Sequence, residues 1–243
     1  MDAHPRTPLD EPAAAPLWLV ERVRLLRELG FFQQSPEASA EAFAAAWARR
    51  HVLKWGREPD ATDPHLTVDL IASDPTRTVY MDVECDPFPG EGAYVRWVEG
   101  LCRITRGRVD LLRVEERWLR DPTEFYQEAD AEEEKPFRPV EVTLTTRRRR
   151  LVIYPRWHGD YIAVSDLVEA VDALMGPLGP RLYFMDQDSQ SALVLALTAS
   201  EGRRLESGLG LRIVRGRDQP HPLHWLERLR SAWRAATWKP PRP

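Results

Sequence analysis

Asparagine is absent from this chain and lysine stands only at positions 54, 135 and 239, so 31 of its 34 basic residues are arginine. That bias is the mark of a GC-rich genome. It weakens any argument that an arginine run by itself signals phosphate binding, because arginine replaces lysine over the whole surface. Cysteine is equally scarce: Cys85 and Cys102 are the only two, without the paired spacing of a zinc site, which fits a reducing compartment. Long apolar runs are missing, since the longest, 192–197, falls far short of the 18 or more residues that cross a bilayer. The acidic, proline-rich residues 1–16 have neither the basic start nor the apolar centre of a signal peptide. The expected location is cytoplasmic, with no membrane partner.

Motifs of cofactor and nucleophile chemistry are missing as well. Gly90-Glu91-Gly92 lacks the third glycine and the helix-opening lysine of a phosphate loop, and there is no Gly-x-Ser-x-Gly, HExxH or CxxC. No cofactor is expected. A net charge of −4 removes the global attraction to nucleic acid.

What is present is the balance of a folded domain, with 43% hydrophobic and 30% charged residues in 243. Residues 17–29 place Leu19, Val23 and Leu26 on one helix face, with Gly30 as the stop. Ser35-Pro36-Glu37 has the chemistry of a helix start, and the helix behind it, running to Lys54, carries Ala40, Phe43 and Trp47 on one face. Residues 66–72 and 78–85 alternate around Ser73-Asp74-Pro75-Thr76 and read as an antiparallel hairpin. A helix over 94–105 and a strand over 108–119 follow.

An acidic segment, Glu128 to Glu134, lies within 121–139 and has the composition of a solvated linker. Beyond it come a second hairpin (140–145 and 151–154) and the clearest helix of the chain, with Val164, Leu167, Val168, Val171, Leu174 and Met175 in one stripe. Strands at 181–185 and 192–197, a capped helix from Thr198, a short strand at 211–214 and an amphipathic helix at 222–233 complete the reading. The expected organisation is a disordered start at 1–16, an α+β half at 17–120, the linker at 121–139, a second α+β half at 140–236 and a frayed tail at 237–243. The fold class is therefore α+β: two similar halves, each with antiparallel strands packed by helices, plus an N-terminal helical pair and a C-terminal amphipathic helix. Both halves run hairpin, helix, strand in the same order, a hint of duplication that residue identities do not extend.

Four constellations bear on chemistry. Asp82 and Glu84 project from one face of a predicted strand, with Asp69 beside them on the paired strand and Asp86 just beyond, a set able to gather round a divalent cation. The layout resembles that of metal-dependent nucleases. Their strand continues to a lysine two residues after the acid, and here Glu84 holds that place, removing the group that stabilises the attacked phosphate. A half-exposed sheet with a polar outer face explains the same residues more simply. Asp186 and Asp188 form a D-x-D after an apolar strand, but Asp, Gln and Ser are ordinary hairpin-turn residues. His221 with His224, and His158 with Asp160, lack a third ligand.

The fourth is cationic and aromatic. Arg147, Arg148, Arg149 and Arg150 join two strands as the densest basic patch, suited to phosphates or to an acidic protein surface. Arg156, Trp157, His158 and Tyr161 alternate aromatic with charged side chains between Tyr154 and Tyr161, the residue types that dominate protein interfaces. The resulting expectation is a non-catalytic module binding another protein, of the inhibitor, immunity or adaptor type. The alternatives are a metal-dependent hydrolase or nuclease using Asp69, Asp82, Glu84 and Asp86, and a nucleic-acid-associated protein, the latter disfavoured by the charge.

Overall fold

The computed structural model describes residues 14–82, 90–119, 138–158, 161–176, 178–185 and 191–215. They divide into two compact units: one ends at Asp74 and includes Ser207–Gly210, and the other holds Pro75–Glu206 and the residues from Leu211. The fold is α+β, with six helices and antiparallel sheets of four and three strands among the described residues. No helix among them is long and apolar enough to cross a membrane.

In the first unit, α1 (Leu17–Glu28) buries Leu19, Val20, Val23 and Leu26. It ends where expected. Gly30 takes φ 82°, Gly30 N–H donates to the Arg27 carbonyl and Phe31 N–H to that of Leu26, the paired bonds of a Schellman stop. The second helix, α2 (Ala40–Trp55), buries Ala40, Phe43, Ala44, Trp47, Ala48 and His51. It starts later than Ser35-Pro36-Glu37 predicts. Arg27 donates to the carbonyls of Glu37 and Ala38, the Ser35 hydroxyl turns to the Glu37 carboxylate, and Ser39 caps the helix by accepting from Ala42 N–H at 3.1 Å.

Residues 64–72 correct the sequence reading outright: they form a helix, α3 (Pro64–Ala72), and not the first strand of a hairpin. Leu66, Leu70 and Ile71 are buried, a spacing that fits one helix face as well as alternation. The start decides the matter, because the Asp63 carboxylate accepts from His65 N–H at 2.9 Å and Pro64 occupies the first turn, where its missing N–H costs nothing.

The second unit is built on two sheets. The four-stranded one has the order β1 (Thr78–Asp82), β8 (Ser191–Leu197), β7 (Arg181–Met185), β9 (Ile213–Arg215). The partner of β1 is thus β8, in the register Thr78↔Leu195 to Asp82↔Ser191. Residues 192–197 are buried without interruption, as a strand covered on both faces requires. The three-stranded sheet has the order β2 (Leu111–Trp118), β3 (Val140–Thr146), β4 (Arg150–Ile153). Strands β5 (Trp157–His158) and β6 (Tyr161–Ile162) form a separate two-stranded ribbon.

Helix α4 (Ala93–Ile104) packs against β1, β2 and β8, and α5 (Val164–Leu174) against α4, β4 and β7. Their buried faces, including Val98, Leu101, Leu167 and Val171, join Met81, Val142, Leu144, Leu182 and Val194 in one core shared by both sheets. Gly100 allows the close approach of α4 to β1, since a Cβ there would meet the Val79 methyls at 3.2 and 3.3 Å. A last helix, α6 (Ala199–Leu209), opens on the expected capping box: Glu201 N–H donates to Thr198 Oγ1 and Thr198 N–H to Glu201 Oε2. The acidic stretch 120–137 and the helix expected at 222–233 lie outside the described residues.

Candidate functional site

The carboxylate set does not assemble in the way its spacing suggests. Asp69 sits on α3, on a different element type and in a different unit from β1, so no strand pairing carries it beside Asp82. Partial burial raises the Asp69 pKa, against the charges of Lys54 and His51. Asp82 ends β1 opposite Ser191, and Glu84 and Asp86 lie outside the described residues, as do Asp160, Asp186, Asp188, His221 and His224. Among the described residues no group of three or more His, Cys, Asp or Glu side chains is placed to hold a metal. Cys102 is buried on α4, and burial pushes its thiol up to about 12, so it carries no thiolate near neutrality.

Residues 154–157 lie in or against the core: Tyr154, Pro155 and Trp157 are buried and Arg156 is half-buried. Trp157 is fully buried, which corrects its assignment to a binding surface. Its indole N–H donates to the Tyr94 hydroxyl, and its ring meets Trp118 edge-on at 6.1 Å; Trp118 meets Tyr94 in the same way at 6.2 Å. The charged neighbour Arg156, which gave Trp157 a surface character, points elsewhere. Arg156 grips Asp166, in the first turn of α5, through Nε at 3.0 Å and a terminal nitrogen at 2.6 Å, and its backbone N–H donates to the same carboxylate. That hydrogen-bonded pairing raises the Arg156 pKa further, against its own burial. Arg156 is therefore a brace between β5 and α5. His158 and Tyr161 pair through their backbones across the ribbon.

Arg147 to Arg149 form the turn between β3 and β4 and Arg150 opens β4, and here the sequence expectation meets a defined geometry. Thr146 closes the turn: its N–H and its hydroxyl both donate to the Arg149 carbonyl at 2.9 Å, and its Oγ1 accepts from the N–H groups of Arg148 and Arg149. All four arginines are exposed. Arg149 donates to the Ala173 carbonyl at the negative end of α5, and Arg147 pairs with Asp110 at 2.8 Å. Both members of that pair are more than half exposed, so it contributes little stability.

Register extends the cationic surface across the sheet. Arg113 lies opposite Thr145, and Thr145 opposite Arg150, so these three share the outer face at one end of the three strands. At the other end Arg117 donates to Glu141 at 2.8 Å, and Glu141 accepts from the Tyr154 hydroxyl at the same distance. The Arg117 bond is the largest of the influences that hold Glu141 below the usual carboxylate range. Counting the face and its turn, six arginines (113, 117, 147, 148, 149 and 150) stand against Asp110, Glu115 and Glu141, on a chain whose net charge is −4. Arg113 and Arg117 escaped the sequence reading. The signal was there in the outward alternation Arg113, Glu115, Arg117, but only the pairing register reveals that it continues the arginine turn. Comparison with known proteins finds no matching family model, no matching curated protein and no matching solved structure.

Proposed function

We propose that this chain is a non-catalytic protein-binding module of a bacterial cytoplasm, of the inhibitor, immunity or adaptor type, and that it meets an acidic protein through the arginine turn and the adjoining sheet face. The supporting observation is the turn itself. Four exposed guanidiniums stand on a backbone fixed by the Thr146 bonds, so the main-chain ordering cost of presenting them is met within the fold and not on binding. Arginine is suited to that role because its planar fork meets carboxylates in two parallel bonds.

The test compares the wild-type chain with an Arg148→Glu, Arg150→Glu variant, each immobilised and exposed to extract of the source cell. Both positions are exposed, so the variant should keep stability within about 0.5 kcal/mol. The expected outcome is one stoichiometric protein held by the wild type and released by the variant. Identical retention by both overturns the proposal. Oligonucleotide binding whose affinity falls steeply with salt, and which the variant loses, would establish the nucleic-acid reading instead.

A further inference from the structure

The arginine turn borders an open groove of about 460 Å³ between the second half of α4 and the start of β2. Its walls combine Cys102 and Val109, both nearly buried, with Leu111 and Val114. Cys102 behaves there as a small neutral hydrophobe. Arg103 and Arg113 stand on the rim with Glu99 and Asp110, and Asp110 is already engaged by Arg147 of the turn. The register of β2 against β3 slips between Leu111 and Arg113, so Leu112 is the extra residue of a bulge at the edge of the sheet, and its side chain is 57% exposed at the groove. Bulges of this kind re-aim a side chain. Here the effect is an exposed leucine beside a recess whose lining mixes Cys102, Val109, Leu111 and Val114 with charged side chains, and with a row of guanidiniums next to both.

We infer that this groove seats one apolar anchor side chain of the partner, aromatic or large aliphatic, carried on an acidic segment whose carboxylates reach Arg113 and the arginine turn. This rests on the reading of the turn as a partner surface and adds to it the chemistry of the partner. The argument is one of complementarity. Guanidiniums alone select only for negative charge and act mainly on encounter, whereas a desolvated anchor in a recess lengthens the complex's lifetime and fixes its register. The groove is large enough for a single ring or branched side chain, and Leu112 covers its exposed flank once filled. A purely acidic partner would leave that leucine in water.

Isotope-labelled full-length chain is titrated with the acetylated, amidated pentapeptide Asp-Glu-Trp-Glu-Asp and with its counterpart carrying Ala for Trp, following backbone amides 109–114 and 146–150 by NMR. The tryptophan peptide should bind roughly tenfold or more tightly than the alanine one, and Leu112→Asp should erase that difference. Arg148→Glu should weaken both peptides. Equal affinity of the two peptides, with both still sensitive to Arg148→Glu, overturns the groove and leaves the turn as the partner surface. A tryptophan preference with neither peptide's affinity lowered by Arg148→Glu overturns the turn reading and the acidic partner with it. No shift at 109–114 at millimolar tryptophan peptide overturns the groove as well. So would concentration-dependent dimerisation abolished by Leu112→Asp, which would make a second copy the occupant.

Discussion

The Glu116 carboxylate accepts from three donors: the N–H groups of Gly92 and Tyr94 at the start of α4, each at 3.0 Å, and the Trp118 indole N–H at 2.7 Å. A charge supplied from β2 thus occupies the positive end of a helix that carries no acidic residue in its own first turn. Truncation would strand those donors in a partly buried site. Glu116→Ala is expected to cost about 3 kcal/mol, and Glu116→Gln about half of that, in urea unfolding. Glu201 plays a comparable part for α6. Burial raises its pKa, but the bonds from Thr198 and Arg106 outweigh burial and hold it below its ordinary value of 4.5. A depressed carboxylate contributes stability that is full above the unfolded value and is lost as pH falls through the folded one. The expected signature is therefore a loss of stability below about pH 4.5 that is shallower in Glu201→Gln, read by denaturation at a series of pH values. Trp157 separates packing from binding: Trp157→Ala should cost about 3–5 kcal/mol, whereas Trp157→Phe, at a smaller cost, should leave partner capture unchanged.

At the scale of elements, the sharpest lesson is α3. Residues 66–72 satisfy a two-residue period through Leu66, Val68, Leu70 and Ala72, and a helical period through Leu66, Leu70 and Ile71; only the Asp63-Pro64 start separates the two. The distinction has a measurable sign. On α3 Val68 is only half-buried at the flank of the Leu66, Leu70 and Ile71 face, so Val68→Ala should cost no more than about 1 kcal/mol, helix propensity offsetting part of the lost burial, where a strand would lose β-branched packing. Leu70→Ala should cost about 2–5 kcal/mol in either thermal or urea unfolding. Elements with an unambiguous period were legible: α1 with its glycine stop, the stripe of α5, the capping box of α6, the continuous apolar run of β8. Side-chain direction in short irregular segments was not. Trp157 looked exposed because its sequence neighbours are charged, yet Arg156 is turned onto Asp166 and the indole onto Tyr94. The arginine turn was readable as composition, but its continuation through Arg113 depends on a bulge and a strand register that no local pattern encodes.

At the scale of the molecule, both sheets are closed by strands from opposite sides of the acidic stretch. Thr78 of β1 pairs with Leu195 of β8, and Trp118 of β2 pairs with Val140 of β3. Each is a pairing between segments that the expected linker at 121–139 would divide, and the core beneath them draws on α4 from one side and α5 from the other. Chain cut at that stretch should therefore behave as one structure in two pieces. Fragments 1–128 and 129–243, expressed apart, would each expose a strand that has lost its neighbour: β2 without β3 in the first, β8 without β1 in the second. Neither should show a cooperative melt of its sheet strands, because the apolar surface those strands bury without their neighbours is too small to offset their conformational entropy. Co-expressed, they should elute as a one-to-one complex with the circular dichroism of the intact chain. Two self-sufficient halves would give the opposite result, each fragment melting cooperatively on its own, and the long-range pairings of both sheets are the reason to expect otherwise.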